Sequence, residues 1–81
     1  MINKPLAPGS TIGIFGGGQL GRMLAMAAAR LGLHAHIYSP QHNAPAFEVS
    51  AKQTVAPYTD LNAVKEFASQ VDVATVEFEN I

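Results

Sequence analysis

"IGIFGGGQLGRMLA", residues 12–25, places three consecutive glycines between a short apolar run and a segment of helix-forming residues. A continuous apolar run such as the first four residues is typical of a strand in a parallel sheet that is covered on both faces. From Leu20 onward the apolar residues recur with the period of a helix. The glycines at Gly16, Gly18 and Gly21 match the G-x-G-x-x-G spacing. The stretch therefore predicts a strand, a tight turn and a helix that begins beside a ligand-binding crevice.

The helix after the glycines is predicted over residues 20–31, with Gly32 as its C-terminal stop. One apolar stripe runs along it and is predicted to be its buried face: Leu20, Met23, Leu24, Ala27 and Leu31. Met23 and Met26 are interpreted as core residues, which is the commoner role of methionine on such a helix.

Strands and helices alternate along the remainder of the chain. Strands are predicted at 33–38, 53–56 and 71–78, and a short helix beginning near Pro45 carries Phe47 and Val49. Asp60 is predicted to cap a helix over 61–69, whose buried face holds Leu61, Val64, Phe67 and Ala68. The fold class predicted from this alternation is α/β, with a four-stranded parallel sheet in the order 3-2-1-4 and helices on both faces.

The composition excludes several classes of protein. With 81 residues, five basic and six acidic side chains and a net charge of −1, the chain lacks the basic surface that a nucleic acid or an anionic membrane requires. The apolar stretch 12–33 is interrupted by glycines, Gln19 and arginines, so it does not predict a membrane span. The absence of cysteine excludes disulfides and thiolate sites and suits a cytoplasmic protein.

The chain is short and apolar for an independent domain. A domain of this size hides only about 60 to 65% of its unfolded surface, yet 48% of the residues are hydrophobic. Residues 1–10 contain no secretory signal and are predicted to be a flexible lead-in. The last predicted strand ends close to Ile81, where a ligand site is expected at the carboxyl edge of the sheet. We therefore expect residues 11–81 to be the first domain of a longer polypeptide.

The sequence pattern leaves three interpretations of the glycine loop: an NAD site, an NADP site or a purely structural turn. A dinucleotide would need an acidic residue at the end of the second strand to hold the ribose of NAD, but Tyr38, Ser39 and Pro40 stand there. NADP could use Ser39, although it also favours a nearby arginine. Alternatively the glycines serve only a tight turn and close packing of the helix. Gly18 in particular is predicted to have backbone angles or a close contact that a Cβ would obstruct.

Few other polar side chains are candidates for binding a metal or a ligand. His34 and His36 lie two apart on one strand, but a third metal ligand is missing nearby, so a role at the surface or in a domain contact is predicted and no metal is expected. His42 is predicted to be solvated in a turn. Gln19 differs from these, because a long amide where the loop becomes a helix lies at the mouth of the crevice.

The closing stretch "VEFENI", residues 76–81, contains two carboxylates. Alternation along a strand places Glu77 and Glu79 on the same side and Phe78 on the other. The two carboxylates form either an amine-binding or acid–base site, or simply a polar strand end. Glu79 is the weaker candidate because it lies beyond the predicted end of the strand.

Taken together, "GIFGGGQLGRMLAMAAARLG", "YSP" with "APA", and "EFENI" resemble the N-terminal segment of the carboxyaminoimidazole ribonucleotide synthases. The resemblance extends from Thr11 to Ile81. It implies a Rossmann-like pre-ATP-grasp half-fold that holds no nicotinamide. A related formate-using transformylase carries an acidic residue where Gln19 stands, so the glutamine favours the carboxyaminoimidazole family.

The resemblance also implies a function. Its members are ATP-grasp ligases of purine biosynthesis, in which ATP phosphorylates bicarbonate and the carboxyl group passes to the amine of aminoimidazole ribonucleotide. ATP and Mg²⁺ are bound by later domains, so this segment is expected to hold no cofactor, no metal and no catalytic residue. It is expected to form one wall of the substrate pocket, with these binding residues: Gly16, Gly17, Gly18, Gln19, Leu20, Glu77 and Asn80. A homodimer and coupling to the carboxyaminoimidazole ribonucleotide mutase are also implied for the full-length enzyme.

Overall fold

The computed structural model describes residues 7–76 of the chain. Its elements in chain order are β1 (Thr11–Phe15), α1 (Gln19–Arg30), β2 (His34–Ser39), a 3₁₀ helix (Pro45–Val49), β3 (Lys52–Val55), α2 (Leu61–Ser69) and β4 (Val73–Val76). Each element type was predicted, and the described boundaries differ from the predicted ones by at most two residues. The last two residues of the predicted strand 71–78 lie outside the described part of the chain.

Within residues 7–76 the strands form one parallel sheet in the order β3-β2-β1-β4, which confirms the predicted topology. The register aligns Phe15 at the end of β1 with Tyr38 of β2 and with Val76 of β4. The carboxyl ends of three neighbouring strands therefore meet at one edge of the sheet. This is the edge at which open parallel sheets bind their ligands.

One face of the sheet is aliphatic and lies under α1 and the 3₁₀ helix. Its buried cluster consists of Ile14, Ala25, Ala35, Ile37 and Ala46. The residues that α1 buries are small, namely Gly21, Ala25 and Ala28. The predicted buried stripe is therefore wrong: Met23 is 64% exposed and Leu31 is 71% exposed. Small residues occupy the positions of α1 that face the sheet because they let the helix approach the strands closely. Gly21, the third glycine of the motif, has this packing role.

The opposite face is aromatic and lies under α2. The ring of Phe67 is edge-on to that of His36, with ring centres 4.5 Å apart, and also contacts Phe15 and Tyr38. Gly13 lies beneath Phe67, so a Cβ at residue 13 would come within 2.8 Å of the ring. Of the predicted buried face of α2, Phe67 is confirmed, whereas Leu61 is 70% exposed.

Local signals set the helix ends as the sequence predicted. The Asp60 side chain accepts a hydrogen bond of 3.0 Å from the backbone N–H of Ala63, which caps α2. After α1, Gly32 adopts a positive φ of 79°, the left-handed conformation that a C-terminal glycine supplies. The backbone N–H of Gly9 donates to the Gly32 carbonyl at 2.7 Å, which attaches the described end of the lead-in to this turn. Among residues 7–76, none of the helices has the length and apolar character needed to span a bilayer.

Candidate functional site

The glycine loop joins β1 to α1 at the carboxyl edge of the sheet. Gly16 has a positive φ of 124°, and its N–H donates to the Tyr38 carbonyl at 2.9 Å. Gly17 is buried, and a Cβ there would collide with the side chains of Ala44 and Ser39. Gly18 is the N-cap of α1 with φ −76° and ψ −163°, angles that any residue adopts. The special backbone angles predicted for Gly18 are therefore wrong, whereas the close contact given as the alternative stays a prediction. Gly16 has the positive φ, and Gly17 has the close contacts.

A cleft of about 490 Å³ opens beside this loop. One wall is Gln19 in the first turn of α1, and the other is the segment 42–48 that follows β2. The residues of that second wall that line the cleft are His42, Asn43, Ala44, Pro45, Phe47 and Glu48. Gln19 lies at the mouth of the crevice, as the sequence predicts, and its role in binding remains a prediction. His42 is exposed, as predicted, but it also faces this cleft.

The second wall was missed by sequence reasoning. Its position follows from two contacts that join it to the glycine loop: the Ala46 N–H donates to the Gly17 carbonyl at 2.9 Å, and Ala44 occupies the space that a side chain at residue 17 would need. A usable signal is present in the sequence, since a turn after a parallel strand must emerge at the same edge as the loop after its neighbour.

An ion pair joins α1 to Glu48, one of the residues that line the cleft. Arg22, one turn after Gln19 on α1, places its Nη1 2.6 Å from Oε1 of Glu48. The same Nη1 lies 3.4 Å from the Pro45 carbonyl oxygen. Glu48 carries the one formal charge among the residues that line the described cleft, with histidine neutral. Besides that paired carboxylate, the polar side chains that line the cleft are the imidazole of His42 and the amides of Gln19 and Asn43.

Ser39 is not available to a ligand in this arrangement. It is 3% exposed, and its Oγ accepts a hydrogen bond of 3.2 Å from the backbone N–H of Gln41. Tyr38 is fully buried and donates its hydroxyl to the Pro57 carbonyl at 2.6 Å. The two β2 residues that a dinucleotide would have to meet therefore serve the fold.

The histidines of β2 occupy different environments. His34 is exposed, whereas His36 is 1% exposed beneath α2, so the predicted surface or domain-contact role is wrong for His36. Its Nε2 lies 2.7 Å from the Thr54 hydroxyl, and its Nδ1 is buried without a hydrogen-bond partner. Burial, with a smaller contribution from the charge of Lys52, lowers the pKa of His36 below its ordinary value of 6.5. Among residues 7–76, His, Asp and Glu side chains do not gather in threes as metal ligands would.

Three of the predicted binding positions remain to be placed. Leu20 lies in the first turn of α1 and is 37% exposed. Glu77 and Asn80 lie outside the described residues, as does Glu79. The fold and the loop together define a parallel α/β domain with a cleft at the carboxyl edge of its sheet.

Comparison with known proteins identifies the class more closely. A model of the ribonucleotide synthetase preATP-grasp domain matches residues 9–81, so the chain belongs to that family. The N5-carboxyaminoimidazole ribonucleotide synthase of Brucella melitensis is 59% identical over 81 residues, which is 100% of this chain and 22% of the relative. The family resemblance drawn from the sequence motifs is thereby confirmed.

Solved structures agree with this assignment. The N5-carboxyaminoimidazole synthetase of Staphylococcus aureus, complexed with ADP, is 41% identical and superposes with a TM-score of 0.88 over 94% of this chain and 20% of its own. The enzyme of Aspergillus clavatus, in complex with ADP and 5-aminoimidazole ribonucleotide, is 34% identical with a TM-score of 0.78 over 91% of this chain and 20% of its own. The chain thus spans about a fifth of the length of each of these three relatives.

Proposed function

We propose that this chain forms one wall of the aminoimidazole ribonucleotide pocket of an ATP-dependent carboxylase of purine biosynthesis. The observation that carries the proposal is the cleft between Gln19 and segment 42–48, at the ligand edge of a fold shared with an enzyme solved with 5-aminoimidazole ribonucleotide. Residues 11–81 act as the pre-ATP-grasp domain, and residues 1–10 precede it as a lead-in.

The reaction proposed for the full-length protein joins bicarbonate to the exocyclic amine of aminoimidazole ribonucleotide. ATP supplies the driving force by phosphorylating bicarbonate to carboxyphosphate with release of ADP, and phosphate leaves when the amine attacks the carboxyl carbon; Mg²⁺ would be bound alongside the nucleotide in later domains. The described residues of this chain would orient the ribonucleotide rather than touch the phosphates of ATP. Accordingly we expect the 81-residue chain alone to hydrolyse no ATP.

Two side chains are proposed to bind the ribonucleotide directly. Gln19 presents an amide that both donates and accepts hydrogen bonds, which suits ribose or phosphate oxygens. Glu77 follows Val76, and Val76 pairs with Phe15 immediately before the glycine loop. A carboxylate there would accept hydrogen bonds from the exocyclic amine and orient it towards the incoming carboxyl carbon. Asn80, Leu20 and the glycine loop of Gly16, Gly17 and Gly18 are proposed to complete the wall, with the Gly16 N–H and the Gly17 carbonyl already bonded within the fold.

The setting proposed for the full-length protein is a cytoplasmic homodimer that delivers its product to a carboxyaminoimidazole ribonucleotide mutase. The absence of cysteine from the chain is compatible with a reducing compartment.

The test is a steady-state assay of the full-length protein. ADP formation that depends on both aminoimidazole ribonucleotide and bicarbonate supports the proposal. ATP cleavage that is indifferent to the ribonucleotide contradicts it. An NADPH titration monitored by cofactor fluorescence tests the dinucleotide alternative, and saturable binding there would replace the proposal, although buried Ser39 argues against it.

A further inference from the structure

The two walls of the cleft are fastened to each other at two levels. At the base, the Ala46 N–H bonds to the Gly17 carbonyl, and Ala44 is seated against Gly17. These contacts involve backbone and buried atoms. At the side, the Arg22 guanidinium reaches from α1 to the Glu48 carboxylate at 2.6 Å.

The ion pair links the two elements that carry the walls of the cleft, so it can affect the distance between them. Arg22 is one helical turn beyond Gln19, and Glu48 belongs to the same short segment as His42 and Asn43. Residues three apart on a helix lie on neighbouring positions of its surface. The position of Arg22 is thus coupled to that of Gln19 through α1, and Glu48, in the 3₁₀ helix, belongs to the same segment 42–48 as His42.

Stability does not explain the pair well. The Glu48 side chain is 75% exposed and that of Arg22 is 33% exposed. Ion pairs with this much solvent contact add little to folding free energy, because water screens the charges and ordering the two long side chains costs entropy. A pair of this kind can still select one arrangement of the exposed residues His42 and Asn43, whereas Ala44 and Ala46 are buried and Phe47 packs against the aliphatic cluster.

We propose that Arg22 and Glu48 are positioning residues that hold segment 42–48 at the distance from Gln19 at which both walls contact one ligand. The identity of that ligand as aminoimidazole ribonucleotide rests on the proposed function. Neither side chain needs to touch the substrate, since the pair acts through Gln19 on one side and through the loop at His42 and Asn43 on the other.

The experiment uses four variants of the full-length protein: Glu48→Gln, Arg22→Gln, the double Arg22→Gln/Glu48→Gln and the exchanged pair Arg22→Glu/Glu48→Arg. Each single variant should raise the KM for aminoimidazole ribonucleotide roughly threefold to tenfold, the change expected when a hydrogen bond to the ligand is weakened. The kcat and the KM for ATP should stay unchanged. The double variant should be no worse than either single one, and the exchanged pair should recover most of the loss.

A matched control is Glu66→Gln, which removes one carboxylate from α2 on the opposite face of the sheet and should leave both KM values unchanged. A merely structural role predicts a different pattern, in which the single variants lower Tm and the KM for the ribonucleotide does not move. That pattern, or additive effects in the double variant, overturns the proposal.

Amide hydrogen exchange separates this inference from the proposed function, because it needs no ligand. In Glu48→Gln the amides of His42, Asn43 and Ala44 should exchange faster than in the wild type, while those of β1 and β2 keep their rates. Unchanged exchange in that loop overturns the inference even if the carboxylase assay succeeds. Faster exchange in a protein with no ribonucleotide-dependent activity retains the inference and refutes the proposed function.

Discussion

Gly17 and Ala44 are in such close contact that residue 17 has no room for a side chain. A Cβ at residue 17 would collide with the Ala44 methyl group and would also lie 2.9 Å from the Cβ of Ser39. The middle glycine of the loop is therefore a packing requirement that is set by the segment after β2. The same contact places Ala44 in the second wall of the cleft. The packing of Ala44 against Gly17 therefore fixes both the glycine turn and the position of that wall.

Gly17→Ala should consequently destabilise the fold. Forcing a methyl group into a filled site costs about 1 to 3 kcal/mol, which equilibrium denaturation in urea would detect as a lower midpoint. The double variant Gly17→Ala/Ala44→Gly should recover part of the loss, because it removes the nearest obstructing atom and leaves Ser39 in place. A Gly17→Ala chain as stable as the wild type would show that the two segments are not packed as described.

His36 should make stability depend on pH on the acid side. Because its pKa is lowered in the folded state below the ordinary 6.5, the unfolded chain binds the proton more tightly. The stability that neutral His36 contributes to the folded state is therefore fully present above pH 6.5. It is lost as the pH falls below that value towards the pKa of His36 in the folded state. Urea denaturation of the wild type and of His36→Gln at a series of pH values measures it, and the variant should show the shallower decline.

The control for this prediction is His34→Gln, which changes an exposed histidine on the same strand and should retain the wild-type decline. Equal slopes for the wild type and for His36→Gln below pH 6.5 would contradict the assignment.

Substitutions on the buried face of α1 should destabilise the fold more than substitutions on its exposed apolar stripe. Ala25 is fully buried against the sheet, so Ala25→Leu should overpack the core and cost about 1 to 3 kcal/mol. Met23, which is 64% exposed, should tolerate Met23→Gln within about 0.5 kcal/mol in the 81-residue chain. The free energies of unfolding from urea titrations decide between the two faces. A larger loss for Met23→Gln than for Ala25→Leu would restore the stripe that the sequence suggested.

The topology was predictable because it depends on few, local signals. Alternating apolar runs and helical periods, with right-handed crossovers, leave few arrangements other than 3-2-1-4. The cap at Asp60 and the stop at Gly32 are properties of neighbouring residues and were predicted for the same reason. The buried face of α1 that was predicted from periodicity is wrong, because periodicity marks only where the large apolar residues lie. It could not show that small residues such as Ala25 would take the sheet-facing positions.

The features that the sequence did not reveal depend on contacts between distant residues. His36 is buried because a hydroxyl 18 residues away, on Thr54, bonds to it and Phe67 covers it. The cleft wall exists because Ala44 meets Gly17 and because Glu48 meets Arg22, 26 residues earlier. Neither partner can be inferred from its own neighbourhood in the sequence. Gln19 was predictable, since its place at the start of a helix is a local property.

Glu77→Gln tests the part of the proposed site that follows β4. The amide keeps the shape of the side chain but loses the charge that would hold the exocyclic amine, so turnover with aminoimidazole ribonucleotide should fall more than basal ATP cleavage does. Steady-state rates of ADP formation with and without the ribonucleotide measure the difference. The same substitution at residue 79 is the matched comparison and should have the smaller effect. Wild-type carboxylation kinetics in Glu77→Gln would refute a role for this carboxylate.

Gln19→Ala tests the first wall of the cleft in the full-length protein. The substitution would remove the hydrogen bond that Gln19 is proposed to make to the ribonucleotide and leave a polar group of the ligand unpaired, which costs about 1 to 2 kcal/mol of binding. The KM for aminoimidazole ribonucleotide should rise accordingly while the KM for ATP stays constant, because ATP is proposed to bind elsewhere. Gln53→Ala is the matched control, since Gln53 is exposed on β3 and does not line the cleft. An equal rise in both KM values would mean that Gln19 supports the fold of the enzyme rather than the substrate.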